Sequence, residues 1–107
     1  MYARTVVIRL KTNALAGFNQ ALEKEIIPLL RRQAGFRDEL AVASDDRSHV
    51  TAISLWDTQA HAEAYNSAGY PAVLMSVEKY LDGVPKVRFG SVINSTPHKL
   101  VAVIAAA

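Results

Sequence analysis

The chain has 107 residues, half of them hydrophobic and 21% charged, with a formal net charge of +2, which is the composition of one soluble globular domain large enough for a core of its own. It holds no cysteine, which excludes disulfides, thiol catalysis and Cys-based zinc or iron–sulfur sites. Its basic residues are scattered apart from Arg31-Arg32 and are not interleaved with aromatics, so neither nucleic acid nor an anionic membrane is an expected partner.

In chain order, Thr5–Leu10 reads as a strand, with Val6, Ile8 and Leu10 on one face and Val7 and Arg9 on the other. Asn13 is the expected N-cap of a helix of about twenty residues, in which Leu15, Phe18, Leu22, Ile26, Leu29 and Leu30 recur at helical spacing. Pro28 lies inside that pattern and predicts a kink, because it donates no backbone hydrogen bond and its ring crowds the preceding turn. Gly35 is placed to end the helix in a left-handed conformation.

Phe36–Ser44 reads as a second strand with Phe36, Leu40 and Val42 in phase, and Asp45–Ser48 as the turn into a third, His49–Trp56. That third strand is apolar on both faces: Val50, Ala52 and Trp56 on one, Ile53 and Leu55 on the other. A strand of this kind needs cover on both sides. The chain's own helices suffice for one side only, so the pattern predicts a homodimer whose two sheets meet, with a ligand pocket on the face that the helices leave open.

Asp57 or Thr58 is the expected cap of a second helix, with Ala60, Ala64 and Ala68 as a flat face for close packing on the sheet. Gly69 breaks that helix and Pro71 opens a shorter third one carrying Tyr70, Leu74, Val77 and Leu81. Asp82-Gly83 then turns the chain into a fourth strand, Lys86–Asn94, where Val87, Phe89 and Ile93 alternate with Arg88 and Gly90. Residues 98–107, with the apolar run LVAVIAAA, form an expected edge or swapped strand of the same single domain. That run of eight residues is far too short to span a membrane. The N-terminus lacks the apolar length of a signal peptide, so a cytoplasmic location is the expectation. The order βαββαβ is the ferredoxin-like arrangement of the α+β class, with helices on one face of an antiparallel sheet.

Two stretches, IIPLLRRQAGF (Ile26–Phe36) and ISLWDTQAHAEAY (Ile53–Tyr65), together with this strand order, resemble the antibiotic biosynthesis monooxygenase (ABM) family of dimeric α+β barrels. The resemblance covers most of residues 5–94. It implies a dimeric α+β barrel and a choice of activities: cofactor-independent oxygenation of small aromatic or quinol compounds, haem degradation, or non-catalytic binding of a small molecule. Two positions depart from the family's patterns. Quinone-forming members resemble one another in an Asn four residues before the Trp, where this chain has Ala52. Haem-degrading members carry a His about ten residues past the Trp, where this chain has Asn66.

Among residues able to carry chemistry, Trp56 offers a flat surface for stacking an aromatic ligand or, equally, a packing anchor. His61 and Tyr65 lie four apart, on one helical face; a His can accept a phenol proton and a Tyr can orient the phenol. Arg9 and Arg88, each in an apolar alternation, can hold a phenolate if they face a pocket. The histidines at positions 49, 61 and 98 have no metal-ligand spacing, and there is no phosphate-cradling loop or dinucleotide fingerprint. No bound metal, flavin or nucleotide is therefore expected. Haem is not expected either: His61 lies five residues before Asn66, about 140° away around the helix, and so is no substitute for a ligand at that position.

Overall fold

The computed structural model of the chain describes residues 1–98. Four strands, β1 (Tyr2–Arg9), β2 (Phe36–Ala43), β3 (His49–Trp56) and β4 (Lys86–Ser91), form one sheet in the order β2-β3-β1-β4, with every neighbouring pair antiparallel. The helices α1 (Leu15–Ala21), α2 (Ile27–Arg31), α3 (Gln59–Ala68) and α4 (Tyr70–Val77) cover one face. The class is α+β with ferredoxin-like βαββαβ order, as the alternation of periods in the sequence predicts. Among the described residues no helix is long and apolar enough to cross a membrane.

Between α1 and α2 the backbone runs through a π-turn, Leu22–Ile26, in which Ile27 N–H reaches back to Leu22 O. Pro28 follows in the first turn of α2, where its missing N–H costs least. Residues four apart in an α-helix overshoot one another by about 40°, so Phe18 and Leu30 would diverge by about 120°. A π-turn takes up about one extra residue, which recovers most of that angle. Phe18, Leu22, Ile26 and Leu30 are accordingly all buried on one face. Asn13 does not cap this helix; it sits in the left-handed region at φ 59, and the N-cap is Ala14 with no side-chain bond. Gly35 ends the segment at φ 77, as its position predicts. Thr58 does cap α3, its hydroxyl accepting from His61 N–H at 3.2 Å.

Two faces, those of β2 and α3, differ from their expected orientation, and β4 differs in length. A bulge between Phe36 and Asp38 moves β2 out of phase. Phe36 therefore packs edge-on against Trp56 on the helix side, while Leu40 and Val42 stand on the opposite face, 61% and 53% exposed. On α3 the buried residues are Ala62 and Tyr65, and Ala60, Ala64 and Ala68 face solvent; the tyrosine, being larger, decides which side packs. Strand β4 stops at Ser91, short of Asn94. Beyond it His98 meets the Asp38 carboxylate on β2, the far edge of the sheet. Apart from His98, the strand expected over 98–107 lies outside the described residues.

Candidate functional site

The cavity of interest lies between the helices and the sheet, not on the open face where the sequence reading put it. Its volume is about 60 Å³. That is room for a few water molecules and less than the roughly 150 Å³ that holds a benzene ring in a closed apolar core. Entry of an aromatic ring therefore requires half-buried wall residues such as Tyr70 and Leu74 to shift. Most of the wall is apolar, with Val6, Ile8, Phe18, Leu22, Val73 and Val77 among its members.

A row of polar side chains crosses this apolar wall. In the sheet register Arg4 of β1 lies opposite Ser54 of β3, and Ser54 opposite Glu39 of β2; all three line the cavity. Arg4 is only 3% exposed. Its Nε and Nη2 donate to Asn66 Oδ1 at 3.0 and 2.9 Å, and its guanidinium carbon lies 3.9 Å from the ring centre of Tyr70 and 5.1 Å from that of Tyr65. Burial lowers the Arg4 pKa below its ordinary value, with the two tyrosines acting against that shift. No acidic side chain lies within salt-bridge distance of it among the described residues. Glu39 presents the converse situation: its Oε1 is buried without a hydrogen-bond partner, and loss of hydration raises the carboxyl pKa.

Tyr65, expected at the site, lines the cavity. Its phenol is pushed up to about 12, chiefly by burial, and so stays a neutral donor. Trp56, fully buried, stacks on the far side of Tyr65 at 5.0 Å between ring centres, and its Nε1 donates to Ser54 Oγ at 2.8 Å. It backs the wall and does not form its surface. The other three expected residues stand elsewhere. The His61 ring turns to the Thr58 hydroxyl, Nδ1 to Oγ1 3.0 Å, and lies against Gly35, outside the lining. Arg9 is exposed and pairs with Asp82 at 3.4 Å. Arg88, opposite Thr5, is exposed on the face away from the helices. Strands β1 and β4 are neighbours, so the two arginines share that face, but neither reaches the cavity.

The residues that sequence reasoning missed are Arg4, Glu39, Ser54 and Tyr70. Extending the alternation Ile8, Val6 back by one step reaches Arg4, a signal that was present in the sequence. Glu39 had none, because its face is set by the bulge.

No family profile matches the sequence, and no curated protein matches it at a significant level. Solved structures do. A protein of unknown function from Nitrosomonas europaea is 20% identical, with 94% of each chain covered and a TM-score of 0.74. SnoaB, a cofactor-independent oxygenase from Streptomyces nogalater, is 12% identical over 91% of this chain and 97% of its own, with a TM-score of 0.73. A monooxygenase from Streptomyces coelicolor, in complex with nanaomycin D, is 17% identical over 88% of this chain and 92% of its own, with a TM-score of 0.70. The chain thus has the fold of the antibiotic biosynthesis monooxygenase-type structures.

Proposed function

We propose that this chain is a cofactor-independent monooxygenase of a small aromatic or quinol compound, bound in the cavity between helices and sheet, and that it works as a homodimer. The observation that carries the reading is Arg4, a buried cation without an ion-pair partner among the described residues, on the wall of a mostly apolar cavity. Support for the reaction class comes from the likeness in fold to oxygenases, and for the dimer from the apolar residues Val7, Leu40 and Val42 exposed on the open face of the sheet.

A phenol with a free para carbon can take one atom of O₂ into the ring and release the other as water, becoming a quinone. All the electrons come from the phenol, and the decisive step is its ionisation. The Arg4 charge, in surroundings of low dielectric, stabilises the negative charge that a conjugated phenolate spreads to the end of the molecule away from Glu39. Tyr65, neutral, donates a hydrogen bond to it. Glu39, the one carboxylate on the wall, receives the proton. Trp56 keeps the Tyr65 ring in place. His61, Arg9 and Arg88 have no part in this machinery.

A second reading, non-catalytic binding of the same class of molecule, is favoured by one observation: Ala52 lines the cavity at the position where the resemblance leads one to expect Asn. Haem degradation is disfavoured, since Asn66, at the position of the axial ligand, is bonded to Arg4. Oxygen uptake with a panel of naphthols and quinols decides between the first two. The oxygenase reading expects uptake by the wild type that falls at least about tenfold in Tyr65→Phe and Glu39→Gln, in line with the usual worth of a positioned proton-transfer group. Tight binding without uptake across the panel favours the second reading.

A further inference from the structure

We infer that the cavity selects neutral aromatic molecules that carry a hydroxyl at one end and a carbonyl-type acceptor at the other, the hydroxyl held by Glu39 and the acceptor by Arg4. This rests on the cavity being the ligand site proposed above, and it narrows the class of ligand.

Two groups of opposite charge type, Arg4 and Glu39, face the cavity and do not meet. Glu39 and Arg4 stand at the two ends of one cross-strand row with Ser54 between them. Adjacent strands lie about 4.8 Å apart, so the two backbone positions are separated by roughly 10 Å. Among the described residues no ion pair joins the side chains, although Arg4 is buried and the Oε1 of the partly buried Glu39 is shut off from solvent. Glu39 Oε1 has no hydrogen-bond partner among the described residues. Asn66 takes two of the Arg4 donors, and a guanidinium has five. A buried acceptor and a buried donor facing one cavity are satisfied together by a molecule that bridges them.

Charge then narrows the class. Among the described residues the titratable groups on the wall are Arg4, Glu39, Tyr65 and Tyr70, and with Glu39 ionised the two charges cancel. A ligand carboxylate gains from Arg4 but is repelled by Glu39, and an ammonium meets the reverse. A neutral ligand avoids both penalties. Its body must be apolar to suit the aliphatic wall. A donor hydroxyl next to a carboxylate forms a charge-assisted bond, as does an acceptor next to a guanidinium.

The test is calorimetric titration under nitrogen with three probes of one ring size: 4-hydroxyacetophenone, with both groups; 4-methoxyacetophenone, without the donor; and 4-ethylphenol, without the carbonyl. Wild-type protein is expected to bind the first at least tenfold more tightly than either of the others. Glu39→Leu is expected to abolish the preference over the methoxy probe and keep the preference over ethylphenol. Glu39→Gln, of nearly unchanged size, is expected to reduce the first preference without removing it, and it serves as the folded comparison should the Leu variant fail to fold. Equal affinity of the wild type for the hydroxy and methoxy probes, an undiminished preference in both variants, or no binding of any probe overturns the inference. Because oxygen is absent, an inactive protein still answers the question, and an active protein without the preference loses this inference alone.

Discussion

Glu39 is a residue whose ionisation works against the fold. Burial raises its pKa from the ordinary value of 4.5, so the folded chain holds the carboxyl proton more tightly than the unfolded chain. The stability linked to this group is therefore fully present below about pH 4.5 and is lost as the pH rises through the raised value. Glu39→Gln should remove that pH dependence and stabilise the protein at pH 7 by about 1 kcal/mol, the low end for an unsatisfied buried group because the side chain is half-exposed. Urea unfolding of both proteins between about pH 4 and about pH 8, a range that starts below the ordinary carboxyl value, checks this; a variant less stable than the wild type at pH 7 contradicts it. Arg4 gives the opposite case, a charge whose partner is essential. Asn66→Ala should cost about 2 kcal/mol, since it strips two charge-assisted bonds from a buried guanidinium, whereas Asn66→Asp should be tolerated at neutral pH because it supplies a counter-charge. Equal melting temperatures for the Ala variant and the wild type would show that water replaces Asn66 at no cost. Of these two charges one was legible. Arg4 continues the alternation of Val6 and Ile8, but Glu39 reads as facing away from the helices until the bulge is known, and one extra residue reverses every side chain beyond it.

At the scale of elements, local signals carried most of the information. Gly35, Thr58, Gly69 and Pro71 mark helix ends in the sequence and do so in the structure. The expectations that failed depended on packing. The π-turn realigns a row of apolar side chains on the sheet, and nothing local requires it. The face of α3 is decided by where Tyr65 fits, not by its row of alanines. Gly35 illustrates how a local requirement and a tertiary one coincide: its φ of 77 disfavours a side chain, and a Cβ there would come within 2.3 Å of the His61 ring. Gly35→Ala should destabilise the protein by about 2 kcal/mol, of which roughly 1–2 is the left-handed backbone and the remainder the displaced imidazole. Thermal unfolding measures it, and the double variant with His61→Ala should recover only the second part. Full recovery would mean that backbone strain at this position is negligible.

For the whole molecule the sequence made the fold legible, because the strand–helix order and the apolar face of each element follow from hydrophobic period. It left the site illegible, because a cavity is the space between elements and depends on side chains from β1, β2, β3, α3 and α4 meeting there. The open sheet face, with Leu40 and Val42 prominent, is the surface on which the proposed homodimer rests. Leu40→Arg, which a two-fold interface would meet twice, should weaken association by on the order of tenfold or more. Sedimentation equilibrium reads this directly, and a wild type that is monomeric at micromolar concentration contradicts the proposal. Binding and oxygenation of the ligand between helices and sheet can be separated from chemistry on the open face by oxygen uptake in two variants placed on opposite faces. Leu74→Trp fills the cavity, and Arg88→Ala alters only the open face. With a substrate that the wild type turns over, uptake should be abolished in Leu74→Trp and unchanged in Arg88→Ala; uptake that survives the filled cavity and is lost with Arg88 would place the chemistry on the other side of the sheet.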